Sequence, residues 1–139
     1  MKKTLKIMTM LLCFVSIAAL SSCKKDYSDN IIGKWKVTHY YEIYSTSPDR
    51  QRYVDDWKDY IIEFTENESI LTDTDGEKEM IEYAIDGDSI SFFFWGEEMG
   101  KGVIEECTNS SLKYNYSEED DWSDTYKIIT HYVECESAE

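Results

Sequence analysis

The chain is poor in proline, glycine, histidine and positive charge. Its 139 residues hold one proline (Pro48), six glycines, two histidines and 14 Lys+Arg against 29 Asp+Glu, for a net charge of −15. Nucleic-acid binding needs a basic footprint, so that class is excluded. Direct docking on anionic headgroups is disfavoured for the same reason. No long stretch has apolar residues at helical 3.6-residue spacing, and no internal repeat is evident. There is no Gly-rich phosphate loop, no Gly-x-Ser-x-Gly and no Cys–His arrangement. The two histidines, His39 and His131, lack the convergent partners that catalysis or zinc needs. The expectation is therefore no enzyme, no cofactor and no metal.

What is present begins with "MKKTLKIMTMLLCFVSIAALSSC". Lys2, Lys3 and Lys6 precede an apolar run of 14 residues, Ile7 to Leu20, interrupted by Thr9 and Ser16. A bilayer-spanning helix needs roughly 20 apolar residues, so this run suits a signal peptide better than an anchor. Leu20-Ser21-Ser22-Cys23 resembles the lipobox of bacterial lipoproteins. The resemblance implies cleavage after Ser22 and lipid on the Cys23 thiol. One acyl chain holds weakly, at about 0.8 kcal/mol per buried methylene, and two or more hold stably. Lys24, where enteric lipoproteins retained in the inner membrane carry Asp, implies the outer membrane. Some Bacteroidetes lipoproteins carry an acidic run after the cysteine that sends them to the surface. "KKDYSDN" departs from it, which leaves periplasmic face and cell surface both open.

Removing residues 1–22 leaves 117 residues, enough for one domain with a single core. All 29 acidic residues stay and three lysines leave, so 11 basic residues face 29 acidic ones at a net −18. Such a surface keeps a tethered domain soluble. The organisation expected is a signal peptide over 1–22, a lipidated Cys23 and short tether over 23–30, and one domain over 31–139.

Short runs rich in Tyr, Ile, Val, Phe and Thr recur between Asp, Asn, Gly and Ser clusters. This pattern predicts an all-β domain of eight strands: Gly33 to Tyr44, Lys58 to Thr65, Ser69 to Thr72, Lys78 to Ile85, Ser89 to Trp95, Lys101 to Cys107, Leu112 to Ser117 and Thr125 to Glu134. Strict alternation in the first would place Trp35, Val37, His39, Tyr41 and Ile43 on the inner face and Lys34, Lys36, Thr38 and Glu42 on the other. Lys127 would put His131 outside. Hairpin-length connections imply antiparallel neighbours. Eight such strands close into an up-and-down barrel, which removes sheet edges. A two-sheet sandwich is the alternative.

Gly33-x-Trp35 in "IIGKWKV" resembles the opening of the first lipocalin strand, where the indole plugs one end of the barrel. "IIEFTENESI", "IEYAIDGDSI" and "VIEECTNSSLKYNY" look like successive hairpins of small lipocalin-like lipoproteins of the Bacteroidetes type. The resemblance covers roughly residues 31–134. It implies a lipocalin-like barrel and an envelope address more firmly than carriage of a ligand.

Inward aromatics could line a pocket for a small apolar or amphipathic ligand. The candidates are Trp35, Tyr41, Tyr60, Tyr83, Phe92, Phe94 and Tyr114; a filled core is the alternative. "SFFFWG" is aromatic on both faces. Phe93 and Trp95 would then lie outside, as a surface for another envelope protein, unless loop 45–57 or the N-terminal turn covers them. The acidic turns Asp73–Glu77 and Ser117–Asp124 could offer oxygens to calcium, but they lack an EF-hand's spacing and read as solvated hairpins. Cys107 and Cys135 end the sixth and eighth strands. A disulfide between them is possible in an exported protein, and so are two free thiols. A turn near Asp120 would pair residues in the last hairpin whose numbers sum to about 241.

Overall fold

A computed structural model describes residues 26–120 and 127–139. The expected leader 1–22, the Cys23 attachment point and the turn residues 121–126 lie outside the described residues. Within them are nine strands: β1 (Gly33–Tyr44), β2 (Ser47–Arg52), β3 (Ile61–Phe64), β4 (Glu68–Thr72), β5 (Lys78–Asp86), β6 (Ser89–Phe94), β7 (Glu97–Cys107), β8 (Ser111–Asp120) and β9 (Lys127–Ser137). From β3 to β9 each strand pairs antiparallel with the next. β1 closes the ring by pairing with β3 on one edge and β9 on the other. The result is an all-β, closed, eight-stranded antiparallel up-and-down barrel, compatible with a lipocalin-like fold. The sandwich alternative does not occur, because first and last strands pair from Trp35↔Ser137 to Tyr44↔Ile129.

β2 is the strand that periodicity misses. "SPDRQR" has no apolar alternation and contains Pro48, which is tolerated on an edge. It forms an exposed ribbon on the upper part of β1 through Glu42↔Arg52 and Ile43↔Gln51. The second expected strand is shorter than its sequence pattern. Lys58 to Tyr60 belong to a turn in which Tyr60 N donates to Trp57 O at 3.0 Å. Of "GEEMG", expected to be a turn, Glu97 to Gly100 instead open the long β7, and the hairpin tip is Trp95-Gly96. The last hairpin pairs Ser111↔Glu136 through Asp120↔Lys127, so its numbers sum to 247 rather than 241.

Three bulges in the ladders of the barrel itself shift the alternation. Thr38, Met99 and Glu105 are each the unpaired extra residue in their ladders. A bulge moves every later side chain on its strand to the other face. On β1 this leaves Trp35 and Val37 inside but makes Tyr40 the next buried residue. His39 and Tyr41, expected inside, face outward. Thr38, the extra residue, lies just before them, its hydroxyl donating to Glu134 O at 3.2 Å.

One end of the barrel is sealed. Tyr27 N donates to Gly87 O at 3.1 Å, Ile31 N donates to Tyr27 O at 3.1 Å, and both side chains are buried. The domain therefore begins packing at Tyr27, inside the stretch expected to be tether. Gly33 follows at φ 138°, a bend open to glycine and strained for other residues. Beyond it the Trp35 indole donates to Ile31 O at 2.8 Å from a buried position. Above this plug lie Val37, Ile62, Phe64, Ile90, Ile104, Leu112 and Val133, all buried. Tyr83 donates its hydroxyl to Thr65 O and meets Phe64 edge-on at 5.1 Å between ring centres.

The other end is open. β3 pairs only with Gly33–Lys36 of β1, which leaves the upper part of that edge without a barrel strand. The chain from 53 to 60 fills the gap. Val37 N donates to Tyr60 O and Asp59 N donates to Val37 O, both at 2.9 Å. Holding this path takes three non-glycine residues at positive φ: Tyr53, Asp55 and Asp59. The long connection thus mends the barrel wall and does not cover the β6–β7 tip.

Candidate functional site

The open half of the barrel holds a cavity of about 210 Å³. Its walls include Trp57, Leu71, Ile81, Phe92, Tyr114 and Tyr116, with Glu79, Glu118 and His131 as its charged or titratable groups. Each strand delivers its part through period-2 alternation. On β9, Ile129, His131, Val133 and Cys135 all face inward. On β8, Leu112 and Tyr114 are buried below Tyr116 and Glu118. On β7, Gly100 and Gly102 sit opposite Glu118 and Tyr116. A Cβ on Gly102 would come within 1.7 Å of Asn115 O, and one on Gly100 within 3.0 Å of the Tyr116 ring. The two glycines let β8 and its tyrosine press against β7 without a clash.

His131 is the hub. It is 6% exposed. Its Nδ1 lies 2.8 Å from the Tyr40 hydroxyl and 3.3 Å from Glu42 Oε1, and its Nε2 lies 3.0 Å from Glu118 Oε1. Tyr40 also hydrogen-bonds Glu42. A ring protonated on both nitrogens satisfies every contact: Nε2–H donates to Glu118, Nδ1–H to the Tyr40 oxygen, and Tyr40 O–H to Glu42. Either neutral tautomer leaves a carboxylate facing a lone pair. Tyr116 stacks on the imidazole at 4.5 Å and 14°, and Trp57 stacks on Tyr40 at 4.3 Å and 14°. Burial, then the hydrogen bond to Glu42, pushes the Tyr40 phenol well above the ordinary tyrosine range. The Tyr116 phenol is raised by burial first, then by Glu118, Glu42 and Glu79. Both phenols therefore stay neutral as hydrogen-bonding groups.

Of the aromatics expected to line a pocket, Phe92 and Tyr114 do. Trp35 and Tyr83 belong to the core of the sealed half, and Tyr60 packs against that core from the wall-mending segment. Tyr41 lies outside, stacked on Tyr132 at 4.7 Å. Phe94 is 47% exposed and stacks on Trp95 at the hairpin tip, while Phe93 is half-buried. The two histidines exchange their expected places. His39 is outside with Nδ1 2.6 Å from Asp55 Oδ1, and His131 is inside.

Cys107 and Cys135 are free and buried. Both pair with Leu112, from opposite sides of β8, so a whole strand lies between them. Two strand spacings are about 9.6 Å, too far for a disulfide's roughly 7 Å Cα limit. Burial pushes the Cys107 thiol up to about 11 and the Cys135 thiol up to about 12, so both behave as small apolar side chains.

Sequence reasoning missed Tyr40, Glu42, Trp57, Glu79, Glu118 and His131. The alternation Leu112–Tyr114–Tyr116 extends in register to Glu118, and Val133–Cys135 extends back to His131, so those two were within reach. Tyr40 and Glu42 were hidden by the bulge, and Trp57 sits in a segment without periodicity. Among the described residues no group of three or more His, Cys, Asp or Glu is arranged to hold a metal ion. No protein-family model matches the chain, and no curated protein sequence matches it either.

Proposed function

We propose that this protein is an exported, lipid-anchored, non-catalytic barrel that holds a small amphipathic molecule in the open half of its interior. The observation that carries the reading is the cavity of about 210 Å³, walled by rings and furnished with a few fixed polar atoms. Drug-sized ligands occupy roughly 300–1,000 Å³, so the molecule is small. The signal-like N-terminus and the Leu20–Cys23 box support lipid on Cys23 and an outer-membrane address. Three residues separate Cys23 from Tyr27, and the four steps between them reach at most about 14 Å. Tyr27 docks at the sealed end, so the anchor would lie beneath that end with the mouth turned away from its bilayer.

Adding p-cresol to the isotope-labelled protein tests the cavity. Saturable shifts of the Trp57, Tyr114 and Tyr116 resonances are expected; unshifted signals at millimolar p-cresol would refute it. Changing Cys23 to Ser should release the protein from the membrane fraction and remove the acyl mass.

A second reading rests on a separate observation. Trp95 is 91% exposed and held at φ 51°, with Phe94 stacked on it. In this reading the β6–β7 tip contacts another envelope protein. Phe94→Ser with Trp95→Ser should then abolish cross-linking to that protein while the melting temperature holds. Persistent cross-linking would remove this reading and leave the first intact.

A further inference from the structure

The charge inside the barrel is lopsided. Glu42 from β1, Glu79 from β5 and Glu118 from β8 all turn inward at the open half, and among the described residues no lysine or arginine lines the cavity. Among the described residues His131 is the one basic side chain there, and both of its nitrogens are already engaged by Tyr40, Glu42 and Glu118. Fully protonated, it offsets one carboxylate of the three. The Glu79 carboxylate stands at the mouth and has no hydrogen bond or ion pair among the described residues. The second oxygen of Glu118 is similarly open, since only its Oε1 is engaged. The walls offer π faces beside these carboxylates. Tyr116 and Phe92 meet at 4.9 Å, and Trp57 also lines the cavity, its ring near-parallel to the imidazole at 6.2 Å. Outside, a groove that shares Met99, Gly100 and Glu118 with the cavity wall is lined by Glu97, Glu98 and Glu119, with Lys101 its one basic residue among the described residues.

We infer that the cavity selects an organic cation: a small primary amine or guanidine carried on an aromatic or apolar body. This rests on the ligand-holding reading above and gives it a chemistry. The apolar body takes the place against Phe92, Leu71 and Tyr114. The cationic head sits between the Glu79 and Glu118 carboxylates and against a ring face, where a desolvated cation is attracted by the ring quadrupole. A carboxylate-bearing ligand such as a fatty acid would bring a fourth negative charge into a partly buried site, where like charges repel more strongly than in water. The acidic rim raises the local concentration of cations and lowers that of anions before either enters. The charges of Glu118, Glu42 and Glu79 all bear on the Tyr116 phenol, so their fields converge within the cavity.

The test uses three probes of one shape on the purified protein: 2-phenylethylamine, 2-phenylethanol and 3-phenylpropionate. The shifts of Trp57 and Tyr116 report occupancy. The amine is expected to bind about ten-fold more tightly than the alcohol, and the carboxylate least tightly of the three. Glu79→Gln should weaken the amine by about five-fold and leave the alcohol unchanged. Glu79 is exposed at the mouth and unpaired, so this variant keeps its fold, and an unchanged melting temperature verifies that. Equal affinities for amine and alcohol, or tighter binding of the carboxylate, would overturn the inference while the cavity stands. No shift with any of the three would remove both.

Discussion

The two halves of this barrel are built from the same strands and solve opposite problems. Toward the sealed end, β1, β8 and β9 turn Trp35, Val37, Leu112, Val133 and Cys135 inward, and the interior is continuous apolar packing closed by the Tyr27–Ile31 turn. Toward the open end the same strands present Tyr40, Glu42, Tyr116, Glu118 and His131, each passed a hydrogen bond or a ring face by another. The sealed half gains stability from area removed from water, about 25 cal/mol per Å². The open half holds polar groups whose burial is tolerated because they satisfy one another. Among the described residues, no fully buried side-chain nitrogen or oxygen lacks a partner. One half thus carries the fold, which leaves the other free to hold a cavity.

The sharpest way to break this division is at the plug. Trp35→Ala removes a buried indole and its bond to Ile31, and should cost about 3–5 kcal/mol in urea unfolding. Binding should fail along with the fold.

Alkaline pH probes both halves together. The Tyr40, Tyr114 and Tyr116 phenols are all raised, by burial above all, and so are both thiols. Their ordinary values are 10.0 for tyrosine and 9.0 for cysteine. The unfolded chain therefore loses these protons first. Stability from these groups is fully present below about pH 9. It falls as pH rises, by about 1.4 kcal/mol per pH unit for each group ionised only in the unfolded chain. For Cys107 the loss ends near its folded value of about 11, and for Cys135 near about 12. Urea midpoints at pH 8, 10 and 11 should drop in that order. Tyr116→Phe should flatten the drop at the open half, and Cys135→Ala at the sealed half.

Tyr40→Phe acts on the open half alone. It removes the hydroxyl between Glu42 and His131 while keeping the ring on Trp57. The expected cost is about 1–2 kcal/mol, with affinity for a cavity probe changed more than the melting temperature.

The smallest effect should have the opposite sign. Trp95 and Gly96 both lie at positive φ at the β6–β7 tip, the geometry in which Asn-Gly is preferred. Trp95→Asn should stabilise by about 0.5–1 kcal/mol, read as a rise in melting temperature. No gain would mean that the Phe94 stack offsets the strain.

How much of this was legible in the chain follows the same line. β1 was bounded correctly at Gly33 and Tyr44, and the barrel followed from eight alternating runs. The plug residue Trp35 also landed inside. All of that depends on apolar alternation, which the sealed half has in abundance. The open half depends on features that alternation does not encode. The bulge at Thr38 reverses His39 and Tyr40. The bulge at Met99 belongs to a strand beginning "EEMG", whose glycine and charges look like a turn. Trp57 reaches the cavity from a segment held by three residues in left-handed conformations. The exposed ribbon β2 has no buried face to pattern its sequence at all.

Thr38 has a further consequence for how such a site changes over time. The first strand carries two reading frames, one before the bulge and one after it. Point substitutions edit either frame in place. Loss of the single extra residue would remove the bulge and leave both frames in place, because His39↔Glu134 would then follow Val37↔Cys135 directly and Tyr40 and Glu42 would still face inward. A one-codon deletion at this position is thus a change of length that spares both the interior chemistry of the open half and the plug below.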